Sequence, residues 1–307
     1  MPSFPQYHRM SNLFLRARIL SSIRAFFQKN GYLEVETPVR IPTPLPEAHI
    51  DVCSADGAFL QPSPEGCMKR LLAAGYSKIF QICRCFRKGE RGARHLPEFT
   101  LLEWYAERED YRHLMRFSEA MFDGIARSLG RAGEPLCFAG HRVDLSPPWP
   151  RLSVKEAFAR HADRTLEQAL SESCFDEVMG LQIEPQLGLS RPVFLCDYPV
   201  AHGALARRKT DNPRMAERFE LYIAGLELCN GFSELIDPAE QRRRFVEELA
   251  RRQEAGKTVT PMPERFLSDL SCMPPAAGNA MGVDRMVMLF AGAQTIDEVT
   301  AFTPEEL

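Results

Sequence analysis

Apolar positions recur at near-helical spacing early in the chain, at Leu13, Ile19, Ile23, Phe26 and Phe27, with Arg16, Arg18 and Arg24 between them. That pattern predicts an amphipathic helix. Ser11 or Asn12 is placed to cap it, and Asn30-Gly31 supplies the stop. An extended segment, Tyr32 to Thr37, ends at Pro38, and the proline-rich stretch 42–46 reads as a loop. The run 78–86, rich in Ile, Phe and Cys, predicts a strand, and 99–105 a second strand across the polar loop 88–97. Together they form an antiparallel hairpin. Residues 111–130 read as a helix. The region 131–190 is weaker, with one or two helices and no chemistry assigned to it. Further on, 219–223 and 226–229 flank Ala224-Gly225, a two-residue hairpin signal. Residues 232–236 continue the sheet, a charged helix follows Asp237, and 278–282 leads into an apolar helix over 283–290. Strands and helices do not alternate regularly, so the expected class is α+β, a mainly antiparallel sheet flanked by helices.

With 307 residues the chain can bury a substantial core. No segment carries the roughly 18–20 uninterrupted apolar residues of a membrane span. The stretch Met1 to Asn12 is short, polar and broken by proline, which is no signal peptide, so a cytoplasmic location is expected. The nine cysteines lack CxxC spacing and read as reduced core thiols. Cys83 and Cys85 should share one face of their strand. A net charge of −3 argues against extended RNA binding. The basic runs 207–209 and 242–244 read as solvated faces.

Three places carry candidate chemistry. Arg87 stands at the end of a strand, where a guanidinium held by the sheet can grip a carboxylate or phosphate through two parallel hydrogen bonds. Phe99 opens the return strand and can stack on a flat ring. In the second hairpin, Tyr222 should oppose Glu227 and Glu220 should oppose Cys229. Glu220 and Glu227 then share a face as diagonal neighbours, roughly 7 Å apart. Two carboxylates that close call for a cation, and magnesium on a polyphosphate is hard and oxygen-loving. The alternative is two solvated glutamates. Third, the segment Gly278-Asn279-Ala280-Met281-Gly282-Val283-Asp284-Arg285 is neither a dinucleotide fingerprint nor a P-loop. It does place Arg285 in the first turn of a helix, where a phosphate also meets helix amides.

In this order the three elements resemble motifs 1, 2 and 3 of the class II aminoacyl-tRNA synthetases: Gly31 to Pro38, Phe86-Arg87 with Arg94 to Thr100, and Gly282 to Arg285. The stretch Glu227 to Glu234 is similar to the lysine-pocket strand of the lysyl-tRNA synthetases. The resemblance covers nearly the whole chain and implies residue roles. Arg87 would hold the α-phosphate and the substrate carboxylate. Phe99 and Arg285 would sandwich adenine, with His95 among the ATP-binding residues. Glu220 and Glu227 would bind Mg2+. Glu65 would meet the ammonium nearest the carboxylate. Glu103, Tyr105 and Glu234 would line the side-chain ammonium pocket, with Asn230, Phe232 and Ala280 beside them. Arg87 and Arg285 would be the catalytic cations.

Two departures stand out. Those synthetases have a glutamate where this chain has Gly89, so Glu90 is displaced by one. They also have glycine where this chain has Ala280. An anticodon-binding domain needs on the order of 100 residues, and the first helix begins near residue 12, so residues 1–307 read as a single catalytic domain without one. A short chain with this pocket resembles the elongation factor P–lysine ligases, which join (R)-β-lysine to a lysine side chain of elongation factor P, and Ala280 fits their pattern. The implied partners are ATP, a lysine-type amino acid and elongation factor P, with no tRNA and no membrane, in a homodimer built on motif 1. A truncated lysyl-tRNA synthetase and an inactive regulatory paralogue are the alternatives. No residue stands out as a general base.

Overall fold

The computed structural model describes residues 4–307. Its centre is an eight-stranded sheet: β1 (Leu33–Glu34), β2 (Lys78–Phe86), β3 (Glu98–Glu107), β4 (Arg151–Ser153), β5 (Val193–Pro199), β6 (Met215–Ile223), β7 (Leu226–Ser233) and β8 (Ala276–Gly282). The spatial order is β1-β2-β3-β8-β7-β6-β5-β4. Every pair is antiparallel except the two outermost, β1 with β2 and β4 with β5, which are parallel. The α+β class with a flanked, mainly antiparallel sheet therefore holds.

The five helices that matter are α1 (Met10–Lys29), α2 (Glu65–Ala73), α3 (Tyr111–Ser128), α4 (Pro238–Glu254) and α5 (Val283–Ala291). Strand alternation decides which sheet face they cover. Leu102 and Trp104 of β3, Met281 of β8, and Phe219 and Leu221 of β6 point to one face, where they pack with Ile23 and Phe27 of α1, Phe122 of α3 and Phe290 of α5. Asp284, in the first turn of α5, ties these layers together: it accepts the Thr100 amide at 2.7 Å and pairs with Arg16 of α1 at 2.6 Å. The alternate residues face the other way, and that open face carries the site.

Several sequence expectations change. The first helix starts at Met10, with Arg9 rather than Ser11 or Asn12 at its N-cap, because Pro5–His8 is already helical. Arg9 is pinned by Glu306, and the Asn12 amide reaches the Glu298 carbonyl at 3.0 Å. The Ala224-Gly225 turn forms with both residues left-handed (φ 51° and 69°). A bulge beside it shifts the ladder, so Tyr222 opposes Glu227 but Glu220 opposes Asn230, not Cys229. The inserted residue is Leu228, and Glu220 and Glu227 stay on one face. Region 131–190 holds more than one or two helices: a small hairpin (Leu136–Phe138 with His141–Val143), strand β4 and several short helical turns. Each is too short for periodicity to register. Of the cysteines only Cys85, Cys196 and Cys229 are buried, while Cys137 and Cys272 are exposed, so the core-thiol reading holds for three of them. Cys83 and Cys85 do share a face, their sulfurs 3.8 Å apart. Among the described residues no helix is long and apolar enough to cross a membrane.

Candidate active site

Four neighbouring strands set the floor of the site in two registered rows. In the first, Glu103 of β3 lies beside Ala280 of β8, which lies beside Asn230 of β7, which lies beside Glu220 of β6. In the second, Tyr105, Gly278, Phe232 and Arg218 follow in the same order. Six sequence-predicted site residues thus fall on one lattice, because period-2 alternation carries residues two apart to the same face.

One end of the floor is an acid pocket. Glu103 is fully buried and accepts from Ser63 Oγ at 2.6 Å and Tyr105 Oη at 2.7 Å. Burial, then the charge of Glu65, pushes its pKa up to about 8. Burial likewise raises the carboxyl of Glu234. Glu234 Oε1 is buried and accepts no hydrogen bond. An orphaned buried acceptor costs about 1–3 kcal/mol, a cost that an incoming ammonium would remove. Gly278 keeps this end open: a Cβ there would stand 2.3 Å from the Tyr105 ring and 2.5 Å from Glu234 Oε1. One row over, Ala280 does carry a methyl, between Glu103 and Asn230.

The pocket also contains a residue that the sequence reading passed over. Lys69 of α2, 1% exposed, sits 2.5 Å from Glu65 Oε1 and 2.6 Å from Glu234 Oε2, over the Phe232 ring at 5.1 Å. Burial opposes its charge, but the two carboxylates outweigh burial and hold its pKa near 12. Its signal was available: Lys69 is four residues after Glu65, one helical turn on.

The other end is a cavity of about 540 Å³ lined among others by Arg87, Phe99, Glu220, Glu227 and Arg285. The Arg87 guanidinium lies 5.0 Å from the Phe99 ring centre. Gly89 is left-handed (φ 79°), and this turn brings the displaced Glu90 back to 3.8 Å from Arg87. Arg285 donates to the Glu227 carbonyl at 2.7 Å, lies 3.2 Å from its Oε2, and meets His95 Nε2 at 2.7 Å. Burial and the Arg285 charge lower the His95 pKa, and because a guanidinium can only donate, Nε2 is the acceptor of this contact.

Glu220 accepts from Tyr198 and Tyr222 on Oε2, both at 2.6 Å, and from Arg218 on Oε1. Glu227 has hydrogen-bond contact through Oε2 only. Lone pairs on Glu220 Oε1 and on Glu227 therefore remain for a hard cation. Among the described residues no cluster of three or more His, Cys, Asp or Glu is arranged for a metal. The pair of carboxylates on Glu220 and Glu227 is a donor set that magnesium accepts where phosphates complete its shell. Arg218 and Glu184 were also missed. Arg218 is two residues before Glu220, hence on its face, and donates to Asn230 Oδ1 at 3.0 Å. Burial, then Glu220 and Glu227, raises the Glu184 carboxyl to about 7. Glu184 lies in the region to which no chemistry was assigned, and no local pattern points to it.

Comparison with known proteins shows the family. The model of the class II tRNA synthetases (D, K and N) matches residues 5–306. The elongation factor P–(R)-β-lysine ligase of Edwardsiella ictaluri is 38% identical, covering 98% of this chain and 96% of its own length. That of Mannheimia succiniciproducens is 37% identical, with 98% and 96% covered. The lysine–tRNA ligase of Magnetococcus marinus is 36% identical over 94% of this chain, which spans 62% of that relative's length.

Proposed function

Since the chain belongs to the class II tRNA synthetases (D, K and N), we propose that it activates (R)-β-lysine with ATP and transfers it to a lysine side chain of elongation factor P. The observation that carries the reading is the registered floor, which joins a buried acid pocket to a cationic, carboxylate-bearing cavity. Glu65, Glu103 and Glu234 carry three carboxylates against the single ammonium of Lys69. The surplus suits a substrate with two ammonium groups, since a buried cation needs carboxylate partners.

In the first half-reaction the substrate carboxylate attacks the α-phosphorus of ATP and pyrophosphate leaves. Arg87 would hold the substrate carboxylate and α-phosphate, Phe99 and Arg285 would flank adenine, and His95 would orient Arg285. Fixed cations aimed at developing charge are the main catalytic term here. Glu220 and Glu227 would hold a magnesium ion, which when bound neutralises charge on the phosphates. In the second half-reaction the acceptor amine attacks the mixed anhydride and AMP leaves.

Elongation factor P is favoured as acceptor because the relatives of that name align with 98–99% of this chain and 96–97% of their own length. Residues 1–307 are read as one catalytic unit acting in the cytoplasm. A homodimer is supported by an exposed apolar stripe, Phe4, Tyr7, Met10 and Phe14, along the N-terminal helical segment. The second reading, charging of tRNA, is favoured by the 36% identity to a lysine–tRNA ligase. The test offers ATP with α-lysine or (R)-β-lysine and either elongation factor P or tRNA. Label on elongation factor P with the β-isomer supports the proposal; label on tRNA alone refutes it.

A further inference from the structure

Glu47 lines three cavities at once: the nucleotide cavity of about 540 Å³, one of about 440 Å³ that also contains Ser63 and Glu65, and one of about 800 Å³. The largest reaches Arg218, Asn230 and Phe232 on the site floor, while Ser173, Arg214 and Arg251 on its rim are exposed. It therefore leads from solvent to the part of the floor, at Arg218 and Asn230, that also lines the nucleotide cavity. Glu47 follows the proline-rich loop, and its main chain is firmly held. Arg252 of α4, 2% exposed, donates to the carbonyls of Glu47 at 2.9 Å and Ile50 at 2.6 Å. Glu248 accepts the Ala48 amide at 2.7 Å. The mount is rigid, yet only burial and through-space charge act on the carboxylate itself.

The geometry points to Glu47 as the group that takes the proton from the acceptor amine as that amine enters through the largest cavity. This rests on the reading above that the chain acylates a lysine side chain. A lysine amine has a pKa of about 10.4, so at pH 7 only about one in 10³ is uncharged and nucleophilic. In the step proposed, one ammonium N–H proton passes to the Glu47 carboxylate. The freed lone pair attacks the adenylate carbonyl carbon, a C–N bond forms and the C–O bond to phosphate breaks. AMP leaves with that electron pair, and the second nitrogen proton is lost to solvent as the amide forms.

Other acids near the site are placed for other work. Glu103 and Glu234 are shut inside the acid pocket, Glu90 faces Arg87, and Glu184 lies beside the Glu220–Glu227 pair. The charged groups acting on Glu47 are Glu65 of α2, Arg87 after β2, Glu248 of α4 and Arg218 of β6. Burial, reinforced by the two glutamates against the two arginines, brings its carboxyl to about 7. A base poised near the working pH is the effective kind and contributes about 10²–10⁴-fold.

The test is Glu47→Gln in the full chain, with the enzyme-bound adenylate formed first and elongation factor P then added in a single turnover. Transfer at pH 7 should fall by about 10²–10³ more than pyrophosphate exchange falls. The deficit should shrink as the pH approaches 10, and Glu47→Asp, which keeps a carboxylate, should regain part of the rate. Capture of the same adenylate by hydroxylamine, an amine uncharged at neutral pH, should be far less affected. Equal losses in exchange and transfer, or a transfer deficit that does not change with pH, would overturn the proposal. Failure of the wild-type protein to label elongation factor P would instead overturn the reading beneath it.

Discussion

Replacing Lys69 with Met removes one charge from the acid pocket and leaves the side-chain stem. The ammonium is 2.5 Å from Glu65 and 2.6 Å from Glu234, and is 1% exposed. Taking one partner from a buried pair costs about 3–5 kcal/mol, more than the 0–1 kcal/mol typical of a surface pair. With Lys69 gone, Glu65, Glu103 and Glu234 face one another with no fixed cation, and the carboxyls of Glu103 and Glu234, already raised by burial, rise further. A carboxyl raised in the folded state contributes stability below its unfolded pKa and loses it as the pH climbs through the folded value. Because burial already holds Glu103 at about 8 in the wild-type protein, the deficit in the variant should grow mainly above that value and be larger at pH 9 than at pH 7. Urea unfolding at both pH values measures it, and the double variant Lys69→Met/Glu65→Gln, which removes one carboxylate as well, should recover part of the loss. Saturating lysine should stabilise Lys69→Met more than wild type, since its ammonium supplies the missing charge. A loss below about 1 kcal/mol, or one equal at the two pH values, would refute the argument that Lys69 balances the pocket.

Arg285→Ala should slow pyrophosphate exchange by about 10²–10³ while circular dichroism stays native; near-normal exchange would remove Arg285 from the nucleotide site. Ala280→Gly should raise α-lysine activation relative to β-lysine. The methyl stands between Glu103 and Asn230, where it should crowd an α-ammonium more than a β-ammonium. A methylene-sized change is worth about 10- to 200-fold, read as the ratio of the two specificity constants. For the wild-type protein, Glu103 rises from 4.5 to about 8 on folding, so its contribution to ligand-free stability should be lost as the pH rises from about 4.5 to about 8. Urea midpoints at pH 5.5 and pH 8 check the sign, and added lysine should narrow the difference as its ammonium pairs with the ionised carboxylate.

The sequence by itself determined the elements whose pattern is local and long. The hairpin of β2 and β3, the Ala224-Gly225 turn and the passage from β8 into α5 were all legible, because strand alternation and turn chemistry act over a few residues. Alternation also puts Glu103 with Tyr105, two apart on one strand, on a shared face before any strand is paired, whereas Asn230 and Phe232 came only from the family resemblance. Pairing was decided by the tertiary structure. The bulge at Leu228 set Glu220 against Asn230, since one inserted residue shifts the ladder without a local signature. The lattice that joins Glu103, Ala280, Asn230 and Glu220 needed β3, β8, β7 and β6 side by side, although nearly 120 residues separate Glu103 from Glu220 in sequence. Lys69 and Arg218 were within reach of spacing rules, but a lysine or arginine reads as a solvated charge until burial is known. Glu47 and Glu184 had no signal at all. Each lies outside regular strand and α-helix, and the environment that shifts its carboxyl is built by segments distant in the chain.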